Sequence, residues 1–161
     1  MTVFQVRREK KSKVRIERRT DPVKQALDDA RAIIATPDLP EAAHTHVLPS
    51  LCRIALENAF LEAAWIRHHR RPGGSERELH EAVEDADKFR KVAALALFGD
   101  AKKVDDVDGE VSNRYGAPAL YLIRKCQSGA HPSGALIADI RRFVDEVEAL
   151  ALRVRKPGVE A

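Results

Sequence analysis

Several of the features that announce a function are scarce or missing in this sequence, and each absence narrows the field. Only two cysteines occur, Cys52 and Cys126, and both fall in apolar helical runs where a small buried thiol is the usual occupant, so no disulfide is expected. No apolar run is free enough of charge to span a bilayer, and no N-terminal apolar stretch resembles a secretory signal, so the chain is expected to be cytoplasmic, with no membrane partner. A glycine-rich phosphate loop, a serine elbow and paired catalytic carboxylates in a supporting context are also missing, which removes the conventional enzyme signatures. Eight aromatic side chains are present, and Phe4 alone lies in the basic N-terminal segment, so base stacking on single strands has little to work with.

Metal chemistry fails on spacing. His44 and His46 are two apart and His68 and His69 are adjacent, whereas two imidazoles share a helical face at a spacing of three or four. The acidic run Asp105-Asp106-Val107-Asp108-Gly109-Glu110 has the look of a calcium loop, but with Gly109 in the sixth position the first and twelfth are Val104 and Tyr115, which cannot supply the required oxygens. Neither a metal nor any other cofactor is expected.

What is present is charge, unevenly placed, and helical periodicity. Residues 1–19 hold eight Lys or Arg against two Glu, a balance of +6, so residues 20–161 carry −3 of the net +3. Val3, Phe4 and Val6, then Val14 and Ile16 after a polar stretch, predict a short hairpin, the one β signal in the chain. Arg7, Arg8, Lys10, Lys11 and Lys13 would make it a contact for phosphates or for an acidic partner face, or simply a solvated edge kept soluble by its charge.

From Thr20 onward the pattern is helical. Thr20-Asp21-Pro22 is a helix start, and Val23, Leu27, Ala30 and Ile34 stripe a helix that Thr36-Pro37 ends. A turn or two over 40–47 leads past an interruption at Leu48-Pro49 into a long helix from Ser50 to about Arg70, apolar nearly all round and therefore central. Ser75-Glu76-Arg77-Glu78 is a capping box for one helix running to Gly99. A weak helix over 104–115 and a short apolar one through Cys126 follow. The last helix carries Leu136, Ile140, Val144, Val147, Ala151 and Val154, and Pro157-Gly158 closes it. The reading is a mainly α protein, a bundle of four or five principal helices over residues 20–156 with a basic hairpin over 1–19 and a tail over 157–161.

One pair of residues has chemical interest. In Arg124-Lys125-Cys126-Gln127-Ser128-Gly129-Ala130-His131 an arginine near the end of an apolar helix precedes a histidine in a glycine-containing loop. A histidine there can act as general base near neutral pH and an arginine can stabilise a phosphorane-like transition state, a metal-free route for attack of a ribose 2′-hydroxyl on its own phosphate. Equally, His131 can serve as a hydrogen-bonding group in a turn.

An all-helical chain with this Arg and His before its last long helix resembles the HEPN family of helical bundles, many of them metal-independent endoribonucleases of toxin and phage-defence systems. The resemblance implies cleavage of RNA through Arg124 and His131 in a homodimer that brings the two motifs face to face, with an antitoxin or other protein partner. Arg53 and Glu57, four apart on a nearly all-apolar helix, are the candidate supporting pair, with partners inside the bundle, or else a structural salt bridge to each other. Stretches such as 21–30, 51–57, Asn113-Arg114-Tyr115-Gly116 and Gly129-Ala130-His131 also resemble helical domains attached to ABC or SMC-like ATPases in bacterial defence loci. That likeness implies a non-catalytic interaction module docking on an ATPase or nuclease, its hairpin the last piece of an ATPase sheet or the replacement for it. A nucleic-acid-binding domain using the positive N-terminal segment is the third expectation.

Overall fold

A computed structural model describes residues 4–8, 14–18, 21–38, 40, 43–70, 76–84, 88–128 and 137–156, with the side chains of 4–8, 14–18, 43, 44, 76 and 78 outside that description. The described chain is mainly α, with seven α-helices, of which four run to twelve residues or more. The backbone of β1 (Phe4–Arg8) pairs antiparallel with β2 (Val14–Arg18), in a register from Phe4 opposite Arg18 to Arg8 opposite Val14. The tail after residue 156 lies outside the described residues.

Helix α1 (Pro22–Ala35) starts where capping chemistry puts it. The Asp21 carboxylate accepts from the Val23 and Lys24 amides at 3.0 and 3.4 Å, and Pro22 occupies a position whose missing N–H has no intrahelical partner to lose. Thr36 turns extended and ends it. A π-helical turn, Ala43–Val47, then runs directly into α2 (Leu48–His69), 22 residues long. The interruption expected at Leu48-Pro49 does not occur, because Pro49 falls in the first turn, where a proline costs no hydrogen bond.

Helix α2 is the hub, with Cys52, Ala55, Leu56, Ala59, Phe60 and Ala63 buried against its neighbours. Around it pack α1, α4 (Phe89–Phe98), α6 (Ala117–Ser128) and α7 (Ile140–Arg155). The single helix expected between Ser75 and Gly99 is two, α3 (Glu76–Glu84) and α4, and Lys88 is extended at φ −125°, ψ 144°. Residues 85–87 between them lie outside the described residues, and the sequence there includes Asp85 and Asp87, a residue type that disfavours helix interiors by competing for nearby backbone groups. The break lets Phe89 turn inward, edge-on to Phe60 at 5.7 Å. Gly99, at φ 72°, closes α4 with a left-handed cap that costs glycine little.

Helix α5 (Val107–Tyr115) is separated from α6 by Gly116 at φ 91°. Helix α7 is capped by Asp139, whose carboxylate accepts from the Arg142 amide at 3.0 Å, and it buries Val144, Val147, Ala151 and Val154 as its periodicity predicts. All buried residues among those described are apolar. Charge is used at the rims instead. Arg31 of α1 pairs with Asp145 and Glu148 of α7 at 2.9 and 2.6 Å, and Arg155 joins Asp21 to Glu62 of α2 at 2.7 Å each.

Candidate functional site

Helix α6 carries the first of the two singled-out residues on its outer side. Leu122, Ile123 and Cys126 turn inward, which at helical spacing sends Tyr121 and Arg124 out, and their exposures are 59% and, for the arginine side chain, 63%. The Arg124 guanidinium does not stand alone. Its Nη2 donates to Asp108 Oδ2 at 2.8 Å, and the other oxygen of Asp108 forms an ion pair with Arg90 Nη2 at 3.1 Å. One carboxylate of α5 thus bridges an arginine of α6 and an arginine of α4. Arg90 Nη2 also donates to the Val104 carbonyl at 3.2 Å. Beside this bridge Arg114 pairs with Glu110 and reaches the Leu97 carbonyl at 3.4 Å, and Lys125 Nζ sits 5.6 Å from the centre of the Tyr121 ring.

The result is a cationic, partly compensated surface on which Tyr121 is the prominent apolar group. It offers donors to an anion or carboxylate partner and a flat ring for a contact. Asp108 was not foreseen as part of it. It stands sixteen residues from Arg124, a separation that carries no pairing signal in the sequence.

His131 lies outside the described residues, as do the side chains of Arg7 and Arg8 and the whole of Lys10, Lys11 and Lys13. Arg53 and Glu57 are described, and they form the salt bridge that their spacing of four allows. They pair with each other at 3.9 Å at the bundle rim, each side chain 35% exposed, rather than with groups inside it. A helix that is apolar on most of its circumference still has one outward side, and a charged pair goes there because burying it would cost more than the pairing returns.

A second cluster forms at the far end of α2. Trp65 stacks on His69 at 5.7 Å and meets the edge of His80 of α3 at 6.2 Å, while His68 and His69 lie 6.0 Å apart. The Trp65–His69 spacing of four is a helical-face signal, but His80 joins only through the packing of α3. Among the described residues no group of three or more His, Cys, Asp or Glu is arranged to hold a metal ion. Among them, too, no helix is long and apolar enough to cross a membrane.

Cys52 and Cys126 are both free thiols, buried where α2 meets α6. Burial pushes the Cys126 thiol well above its ordinary range, and its hydrogen bond with Cys52 pushes the same way. No protein-family model matches the chain, and neither a curated protein nor a solved structure matches it.

Proposed function

We propose that this chain is a helical interaction module that docks on an ATPase or nuclease partner through the outer side of α6, with the basic N-terminal segment as a second contact. The observation that carries this is Tyr121, the most exposed large apolar side chain among those described, set beside Arg124 and Lys125. An exposed aromatic flanked by cations is the composition of a binding hot spot rather than of a solvated helix face. The N-terminal hairpin supports the same reading. A two-stranded ladder is marginal by itself, and an edge of it can extend the sheet of a partner. The resemblance to domains of ABC or SMC-like ATPases supplies the class of partner.

The test is a calorimetric titration of the purified chain with a purified ABC or SMC-like ATPase as the candidate partner. Tyr121→Ala is expected to weaken binding at least tenfold, about 1.4 kcal/mol, with an unchanged melting temperature. Binding that is indifferent to Tyr121→Ala overturns the assignment of this surface.

A second reading is favoured by the outward position of Arg124 near the end of α6. Here the chain is a HEPN-like, metal-independent endoribonuclease of a defence or toxin system, with His131 as general base and Arg124 as the charge that stabilises the transition state, in a homodimer. RNA should then be cut in the presence of EDTA, leaving cyclic-phosphate ends, while DNA is spared. His131→Ala and Arg124→Ala should each lower the rate by roughly a hundredfold or more. Cleavage that survives both substitutions, or that needs added metal, removes this reading.

A further inference from the structure

Helix α6 carries Arg124 and Lys125 and not one carboxylate. Its compensation is borrowed from α5, and it is thin. Asp108 serves Arg124 and Arg90 together, while Lys125 makes no ion pair among the described residues and lies over the Tyr121 ring instead. Arg90 Nε is buried with no acceptor, a further sign that donors outnumber carboxylates here. The ion pairs are also layered. Asp108, 30% exposed, is less accessible than Arg124, and Glu110 is less accessible than the Arg114 it pairs with. With the carboxylates set deeper than the cations, the field at the surface is positive. Among the described residues Arg124 engages Asp108 through Nη2 alone, which leaves the other donors of its guanidinium fork for a second carboxylate.

We propose that the partner segment seated on the outer side of α6 is a short acidic one, with its carboxylates on Arg124 and Lys125 and an apolar side chain on the Tyr121 ring. This rests on the docking reading and names the chemistry of what docks. Charge at two scales identifies the occupant. Locally, α6 offers positive charge that its own surroundings do not fully compensate, whereas residues 20–161 as a whole sum to −3. A long polyanion such as RNA would run off the patch onto acidic surface. Asp105 and Asp106, exposed just before α5, already bound the patch at the end where Arg124 meets Asp108. Stacking gives the same answer, since Tyr121 is the one exposed Phe, Tyr or Trp among the described residues and a single strand binds through successive rings. A short acidic segment needs neither a long positive track nor a row of rings. A few carboxylates match the local charge, and the planar fork of an arginine suits them.

Fluorescence anisotropy of the full chain with a fluorescein-labelled peptide, rich in Asp and Glu around a central leucine, tests this, with single-stranded RNA of equal charge as the other arm. The peptide is expected to bind, and to bind less tightly as salt is raised. Lys125→Glu breaks no ion pair, so it should keep the melting temperature while weakening the peptide at least about tenfold, and Arg124→Gln should act in the same direction. Both losses should persist when Arg7, Arg8, Lys10 and Lys11 are neutralised. A peptide that does not bind overturns the proposal, as does peptide binding that depends on the N-terminal cations alone, or RNA that binds through Arg124 and Lys125. The same variants titrated with the ATPase separate the two readings. Tyr121→Ala without effect removes docking itself and the acidic segment with it. An effect of Tyr121→Ala with none from Lys125→Glu or Arg124→Gln leaves docking standing and overturns the acidic segment.

Discussion

Replacing Phe60 by alanine tests the burial of α2 at the hub of the bundle. Phe60 has no exposed surface and stands edge-on to Phe89 of α4, with ring centres 5.7 Å apart and planes at 88°. Emptying such a site removes the transfer free energy of the ring and leaves a cavity, together about 3–5 kcal/mol. A domain of this length loses roughly 2–4 °C of melting temperature per kcal/mol, so the variant should melt roughly 6–20 °C lower. It should still fold, since about 5–15 kcal/mol of total stability is usual. Urea unfolding followed by far-UV circular dichroism gives the free energy, and an unchanged slope against urea keeps the comparison valid. A cycle with Phe89→Ala isolates the ring pair, expected at about 0.5–1.5 kcal/mol of coupling. A loss below about 1 kcal/mol for Phe60→Ala would refute the burial of this face of α2, and zero coupling would refute the turn of Phe89 into the core.

Two further predictions concern titrating groups. Burial pushes the Asp21 carboxyl up, but the hydrogen bond and charge of Arg155, with the Lys24 and Val23 amides, outweigh it and hold the group below the usual aspartate range. A depressed carboxylate stabilises the fold above its unfolded value, near pH 4, and loses that contribution as pH falls through the folded value. Asp21→Asn should therefore be less stable than the wild type at pH 7, with the gap closing below about pH 4; parallel curves of urea midpoint against pH would contradict this. The thiols of Cys52 and Cys126 should react only slowly with an aromatic disulfide reagent in the native protein and both react promptly in denaturant, because they are buried and free. Fewer than two thiols in unreduced, denatured protein would reveal a disulfide instead.

The helices that read most clearly in the sequence are those whose ends are set by local chemistry. Helix α1 begins at Pro22 behind the Asp21 carboxylate and stops before Thr36, and α4 ends at Gly99, all as capping residues dictate within a few positions of the chain. The one-helix expectation between Ser75 and Gly99 failed because a continuous apolar stripe is compatible with two helices, and the direction of the second is decided by where Phe60 offers a contact to Phe89. In the same way the start of α2 was placed two residues late, since a proline reads as a breaker unless its place in the first turn is known.

The candidate sites divide along the same line. Arg124 was visible because an arginine at an outward position near a helix end stands out against an apolar run. Its partner Asp108 was invisible because a contact between α5 and α6 depends on how two helices pack, not on any spacing between the residues. The apolar circumference of α2 was likewise plain, and it marked the helix as central. Which side of it is only partly buried was not, since Leu51, Ile54, Leu61 and Trp65 are as apolar as much of the buried side. The sequence by itself determined the helical class, the caps and the burial of one stripe on α1 and on α7, because those follow from hydrogen bonding and hydrophobicity over distances of three or four residues. The tertiary structure alone decided that Asp108 compensates Arg124 and Arg90, that Arg53 and Glu57 lie at the rim, and that Leu51, Leu61 and Trp65 lean on the core while Ile54 stays nearly half exposed. Each of these is a matter of which surfaces distant segments bring together, and a periodic pattern carries no record of its neighbours.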